Sequence, residues 1–314
     1  IWEAAGYPWP ERLKALIPIW LPWARQHIPE LNDDIEAELL RISARQIDRR
    51  LGDKKRSLKR RIYGRTKPGS LLKHHIPIRT DNWDIHEPGF CEVDLVSHSG
   101  PAASGEFLHS LNLTDILSGW VETRAVMGKG EAGVVEAIDE IRRELPFTLC
   151  GLDSDNGSEF INDHLYRYCQ THDIQFTRGR PYKKDDNAHI EQKNWTHVRR
   201  VFGWDRYDTH ELRQAMNEVY ANELRLMMNL FQPSVKLLKK ERVGSKLRRR
   251  YDPPKTPLDR LVEYFQAAQK ALPLKLQRLV QLRGTADPFD LSRQIEAKLD
   301  RIQRQRRGEN PTAK

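Results

Sequence analysis

A chain of 314 residues carrying a formal charge of +9 has room for a sizeable core and for two or three domains, and its basic balance favours an anionic partner. Three cysteines, Cys91, Cys150 and Cys169, are neither even in number nor spaced as C-x2-C, which argues against a disulfide framework or a structural zinc and for thiols in a reducing cytosol. The apolar start Ile17–Trp23 is short and broken by Pro18 and Pro22, so no membrane span is expected, and a first residue of Ile rather than Met suggests a missing N-terminal segment.

Residues 1–29, rich in Pro and Trp, read as an irregular lead-in or the remnant of a truncated domain. Asp33–Leu40 carries apolar residues at Ile35, Leu39 and Leu40, and Ser43 can cap a second helix, ARQIDRRL, ending near Gly52. That rhythm suits a helix-turn-helix unit presenting Arg45, Gln46, Arg49 and Arg50 to DNA. Residues 41–80 hold fourteen Lys or Arg against two Asp, a cluster that repels itself unless an anion faces it. Lys67–Pro88 has three prolines, Pro68, Pro77 and Pro88, and the character of a linker.

The organisation then changes. Gly89–Ser97, Glu106–Thr114 and Leu117–Val126 read as three strands, with a tight turn at Asp115 whose carboxylate caps backbone amides. Glu131–Leu145 reads as a helix, Phe147–Leu152 as a strand, Asn162–His172 as a helix and Ile174–Thr177 as a strand. Arg178–Asn187 is a charged loop before a helix over Ala188–Val201, on which Phe202, Trp195 and Trp204 are expected to anchor to the core. Three hairpin-like strands followed by alternating helix and strand imply an α/β fold: a mixed five-stranded sheet with helices on both faces. Asp208 can cap a helix through about Leu230. Lys236–Arg250 then holds eight basic residues against Glu241 alone, with Lys239, Lys240, Arg248 and Arg249 as phosphate contacts. Leu258–Leu282, interrupted by Pro273, and Pro288 to about Arg306 read as helices.

Three carboxylates stand out. Asp94 lies mid-strand among Val93, Leu95 and Val96, where packing alone gives no reason for a charge. Asp155 follows a strand in SDNGSEF, at the end where open sheets place ligands, and Glu191 lies in AHIEQKN, with 35 residues between the two. If the first and fourth strands are neighbours and the following helix crosses their ends, the three acids converge as oxygen ligands for two Mg²⁺ ions, for which Mn²⁺ can substitute, held about 3.5–4 Å apart. Such a pair activates a water or 3′-hydroxyl and stabilises the departing oxygen of a phosphodiester. Lys183, Lys184 and Lys193 are candidate phosphate contacts, Tyr182 a base-stacking residue, and Asn187 and Asn194 polar neighbours of Glu191.

VDLVS, LTDILSGWVET, GLDSDNGSEF and GRPYKKDDNAHIEQKN together resemble the catalytic core of DDE transposases and retroviral-type integrases, and bacterial insertion-sequence transposases in particular. The resemblance covers about residues 89–205 and implies an RNase H-like fold with Asp94, Asp155 and Glu191 as the catalytic and metal-binding triad. It also implies cleavage at element ends and joining of 3′ ends to target DNA by a DNA-bound homo-oligomer, with Asn194 near the bound DNA. The chain departs from retroviral members in having no His/Cys zinc module. The organisation expected is a helical region with a helix-turn-helix over 1–66, a linker over 67–88, a catalytic core over 89–205, a post-core helix and basic segment over 206–251, and C-terminal helices over 252–314. The partners implied are double-stranded DNA of element ends and target, without a membrane, and the expected location is the cytoplasm in association with the nucleoid. An RNase H-like nuclease and a catalytically silent, transposase-derived DNA-binding protein are the alternatives.

Overall fold

The computed structural model describes residues 1–57, 85–102, 104–154, 160, 162–178, 190, 193–243 and 246–308. Asp155, Tyr182, Lys183, Lys184, Asn187 and Glu191 lie outside the described residues, as does most of the expected linker.

The centre is a sheet of β1 (Phe90–Ser97), β2 (Leu108–Asp115), β3 (Val121–Met127), β4 (Gly151–Ser154) and β5 (Gln175–Arg178), in the order β3-β2-β1-β4-β5. β1 runs antiparallel to β2 and β2 to β3, whereas β4 is parallel to β1 and β5 to β4. This is the RNase H-like arrangement, and the expected α/β class and mixed five-stranded sheet hold. Alternation along β1 sends Cys91 and Val93 into the core shared with α4 (Glu131–Glu144), which contributes Val134, Ile138 and Ile141, and with Leu165 and Cys169 of α5 (Asp163–Thr171). The opposite face is covered by α6 (His210–Ala221), whose Leu212, Met216, Val219 and Tyr220 pack with Leu108 and Ala125.

Two strand boundaries shift for local reasons. β3 starts at Val121 rather than Leu117 because Asp115 builds the turn: its carboxylate accepts from the amides of Gly89 at 2.8 Å and Ser118 at 2.7 Å and from the Ser118 hydroxyl at 2.5 Å. β4 starts at Gly151 rather than Phe147 because pairing begins where the chain meets Gly89, whose carbonyl accepts from the amides of Cys150 at 2.8 Å and Gly151 at 3.0 Å. Gly89 has φ +116°, and a Cβ there would lie 2.2 Å from the carbonyl oxygen of Thr148, so only glycine permits this approach.

Residues 1–29 are not an irregular lead-in. Pro10–His27 forms α1, with Pro10 in its first turn and Leu13, Leu16, Ile17, Trp20, Leu21 and Ala24 buried along one face. Internal Pro18 and Pro22 each cost about 3 kcal/mol of helix stability, but they are exposed, and each buried Leu or Ile returns about 1.5–3 kcal/mol. Packing therefore overrides the helix breakers. α1 is followed by α2 (Asp33–Arg41), capped by Asn32, and α3 (Ala44–Ser57). Ser43 and Gln46 cap each other: the Gln46 amide donates to Ser43 Oγ and the Ser43 amide to Gln46 Oε1, both at 3.2 Å.

The expected helix from Asp208 to Leu230 is divided. Thr209, not Asp208, caps α6; a short α7 (Glu223–Leu226) follows and passes into a π-helical turn at Met227–Phe231. The basic segment after it folds into a hairpin of β6 (Leu237–Val243) and β7 (Lys246–Tyr251). Arg260 pins the hairpin base, donating to Asp252 at 2.9 Å and to the Ser234 carbonyl at 2.6 Å. Three helices complete the chain, α8 (Pro257–Ala267), α9 (Leu274–Arg283) and α10 (Pro288–Arg306), separated at the expected Pro273. α1 closes against this end: Trp20 Nε1 donates to the Phe231 carbonyl at 3.2 Å and its ring meets Phe289 edge-on, with centroids 4.9 Å apart.

Candidate functional site

Asp94 stands at the middle of the central strand, directly opposite Asn112 of β2, which is in turn opposite Thr123 of β3. The three side chains lie in one row across the sheet, and Asn194 joins it from above. Asp94 Oδ2 accepts from Asn194 Nδ2 at 2.6 Å, Asn194 Oδ1 from Asn112 Nδ2 at 2.9 Å, and Asn112 Oδ1 from Thr123 Oγ at 3.1 Å. The charge on Asp94 dictates this polarity. A carboxylate can only accept, so the Asn194 amide turns its NH₂ to Asp94 and its oxygen to Asn112, and the order propagates to the Thr123 hydroxyl.

Two further acids share this face. Glu92 lies two residues before Asp94 and opposite Asp153 of β4, and both are buried. Glu92 Oε2 accepts from the Ile190 amide at 2.9 Å, while Asp153 Oδ1 accepts from Thr177 Oγ of β5 at 2.6 Å. The β1–β4 register ends at Val93 opposite Ser154, and Asp155 is the next residue in the chain. Glu92, Asp94 and Asp153 offer carboxylate oxygens on this face beside the amides of Asn112 and Asn194, hard donors of the kind that Mg²⁺ or Mn²⁺ takes.

Asn194 opens a π-helical turn, Asn194–Arg199, that continues as an α-helical turn at Arg200–Phe202. A widened turn at this point carries Asn194 to the sheet while burying His197 and Val198 behind it. Phe202 is buried as expected, but Trp195 is 49% exposed and does not anchor the helix, because the same turn directs it outward. Trp204 is covered instead by the Arg199 guanidinium, 3.9 Å from its ring centroid. Lys193 faces inward and is half-buried; burial, and then the charges of Arg12 and Arg260, push its ammonium down to about 7. His197 is likewise held well below the ordinary histidine range by burial, with Lys193 and Arg12 adding to the effect.

The other expected DNA contacts are distributed over two surfaces. Arg45, Gln46, Arg49 and Arg50 are exposed on α3, with the Gln46 side chain engaged in its cap. Lys239, Lys240, Arg248 and Arg249 belong to the hairpin, where Lys240 lies opposite Arg249 and Glu241 opposite Arg248, which is exposed. Asn112 and Thr123 were absent from the sequence reading. The available signal was an Asn at an alternating position of LHSLNLTD, a polar side chain where a buried strand has no packing use for one.

Among the described residues, the group whose ligand atoms all lie within 4.8 Å of one another is His27, Asp287 and Asp290, not the acids of the sheet face. Its chemistry differs from that of the sheet site. His27 Nε2 meets Asp287 Oδ2 at 2.6 Å, and Arg293 pairs with Asp290 and donates to His27 Nδ1 at 3.3 Å, so an internal cation balances the acids and the cluster ties α1 to α10.

No family model matches the chain. It is 38% identical over 265 residues to the uncharacterized protein y4rM of Sinorhizobium fredii (strain NBRC 101917 / NGR234), spanning 83% of this chain and 75% of that protein. The chain belongs to the y4rM family. Similar solved structures include the catalytic core domain of BIV integrase, with 17% identity, TM-score 0.36 and coverage of 58% of this chain and 99% of that one. The HTLV-2 integrase catalytic core domain in complex with magnesium is 14% identical, with TM-score 0.34 and coverage of 47% and 90%. Both scores are low, and the sheet order by itself carries the fold assignment. No helix among the described residues is long and apolar enough to cross a membrane.

Proposed function

We propose that this member of the y4rM family is a DDE-type polynucleotidyl transferase, a transposase that cleaves insertion-element ends and joins them to target DNA. The observation that carries the reading is the convergence of three chain segments on β1. Ser154, which precedes Asp155, is paired with Val93 beside Asp94. Glu191 is bracketed by Ile190, whose amide donates to Glu92, and by Asn194, whose side chain donates to Asp94. Successive Cα atoms are about 3.8 Å apart, so both expected ligands are covalently tethered to residues already gathered around Asp94.

In this reading Asp94, Asp155 and Glu191 hold two divalent ions, Mg²⁺ or Mn²⁺, which when bound lower the pKa of the attacking water or 3′-hydroxyl and stabilise the departing oxygen. Asn194, backed by Asn112 and Thr123, fixes the orientation of the Asp94 carboxylate. Glu92 and Asp153 deepen the negative potential of the face, while Glu92 holds the start of the Glu191 segment through Ile190. Arg45, Arg49 and Arg50 on α3 and the basic β6–β7 ribbon contact the DNA backbone, a ribbon being one of the shapes a major groove admits. Tyr182, Lys183, Lys184 and Asn187 would line the path of the processed end. The functional division is then an end-recognition region over 1–66, a core over 89–205 and a DNA-embracing, multimer-forming remainder, acting in the cytoplasm on the nucleoid.

The test is to incubate the protein with labelled element-end DNA, a target plasmid and Mg²⁺ or Mn²⁺, and to score end cleavage and joined products. Glu191→Gln should abolish both while DNA binding persists. Joining retained by Glu191→Gln rejects the assignment, and DNA binding without either reaction in the wild-type chain favours a catalytically silent DNA-binding protein.

A further inference from the structure

Behind the sheet site lies a cavity of about 260 Å³, bounded by the turn carrying Lys193 and Arg200, the N-terminal segment Glu3–Tyr7 with Arg12, the α7 region, and α10. Its polar wall is cationic. Arg12, Lys193 and Arg200 line it together, and none of the three has a carboxylate partner among the described residues. Arg12 Nε is satisfied by the Pro233 carbonyl at 2.6 Å, which fixes its position without offsetting its charge. Burial, and then the neighbouring charge of Arg200, disfavour the charge of Arg12. Two acids border the cavity, but Glu3 is 3.6 Å from Lys54 and Glu296 is exposed on α10. The opposite wall is apolar, formed by Leu224, Met227 and Leu299.

The walls are held from several directions. Gln232 Nε2 donates to the Ala5 carbonyl at 2.8 Å, and Ser292 Oγ donates to the Ala4 carbonyl at 2.8 Å, so the N-terminal segment is fastened to both α10 and the chain after α7. Gathering two guanidinium groups and an amine on a partly desolvated wall is unfavourable unless an anion completes the arrangement, and guanidinium donors suit phosphate oxygens. A cationic end and an apolar body are also the ordinary make-up of a small-molecule pocket.

We propose that this cavity binds a phosphomonoester, with its anionic head among Arg12, Lys193 and Arg200 and its body against the Leu224–Met227 wall. The phosphate can come from a free mononucleotide or from the 5′ end of a DNA strand. The site is separate from the carboxylate face, so it stands whether or not the chain is a transposase.

Calorimetry on the full chain would use inorganic phosphate, deoxyadenosine 5′-monophosphate, and a short oligonucleotide with either a 5′-phosphate or a 5′-hydroxyl. Binding of the mononucleotide supports a free ligand, and a gain confined to the 5′-phosphorylated oligonucleotide supports a strand end. Arg200→Gln, at an exposed position, should weaken phosphate-dependent binding about 10- to 100-fold, the loss of one charge-assisted contact, with thermal unfolding unchanged. Lys193→Gln should do the same. Arg45→Gln on α3 and Asp94→Asn at the sheet site should leave mononucleotide binding intact, which separates this site from catalysis. The proposal is overturned if no phosphate-bearing probe binds at millimolar concentration, or if Arg200→Gln and Lys193→Gln bind as tightly as wild type.

Discussion

The row Thr123–Asn112–Asn194–Asp94 makes a quantitative demand on the proposed metal site. Asn194→Ala removes the 2.6 Å bond to Asp94 Oδ2, an interaction class contributing about 1.5–3 kcal/mol, and loosens that end of a carboxylate whose Oδ1 stays on the Leu95 amide at 2.8 Å. Loss of such an orienting partner typically weakens metal binding or activity about 10- to 100-fold, so the Mg²⁺ concentration for half-maximal joining should rise by that factor. Asn112→Ala removes a neutral bond of about 1 kcal/mol that reaches Asp94 only through Asn194, so its shift should be about fivefold. The double variant should be no worse than Asn194→Ala, because Asn112 has nothing left to orient. Asn112 is fully buried, so its loss should also lower folding stability by about 1–3 kcal/mol, read separately by urea denaturation. Effects on Mg²⁺ dependence that multiply in the double variant would refute a serial relay, and an unchanged Mg²⁺ dependence in Asn194→Ala would refute the orienting role given to Asn194.

Further expectations concern the scaffold. Trp20→Ala, which empties a fully buried site between Phe231 and Phe289, should cost about 3–5 kcal/mol in a single cooperative transition; a separate early transition of α1 alone would show that it is not part of the core. Asp115→Ala leaves the Gly89 and Ser118 amides without their acceptor and should destabilise by about 1–3 kcal/mol by chemical denaturation, a neutral result contradicting the capping role. His98 is buried, its Nε2 meeting Ser110 Oγ at 2.7 Å, and burial lowers its pKa to about 3, with Arg199 and His109 adding to the shift. The unfolded chain, with an ordinary histidine near 6.5, therefore binds the extra proton first, so stability falls as pH drops from about 6.5 toward 3, by at most about 1.4 kcal/mol per unit from this group. His98→Gln should flatten that part of the pH–stability curve, and an unaltered slope would assign it to other groups. Gly89→Ala should disrupt the β1–β4 junction, seen as loss of cooperative unfolding, since its methyl would meet the Thr148 carbonyl.

The sheet was legible because its strands alternate and its turns carry chemistry that is local: Asp115 with Ser118 and Gly119, and Asn162 ahead of α5. The Ser43 cap and the break at Pro273 were readable for the same reason. Asp94 announced itself as a charge among valines and leucines, a conflict of local pattern and residue type that one strand suffices to display. Other features depended on distant partners. Whether a Pro- and Trp-rich opening becomes a helix turns on the surface that Phe231 and Phe289 offer it, some two hundred residues further on. The division of the post-core helix at Asn222 and the outward turn of Trp195 follow from packing against β3 and from the π-helical widening, neither of which leaves a mark in spacing. Asn112 gains its place only because register sets it opposite Asp94 and the turn after Lys193 brings Asn194 onto it. Hydrophobic period, caps and turn residues act over a few bonds, so sequence determined the elements of the central sheet and singled out the carboxylates. Which strand lies beside which, and what each carboxylate meets, is decided by burial shared among segments far apart in the chain, and that belonged to the tertiary structure alone.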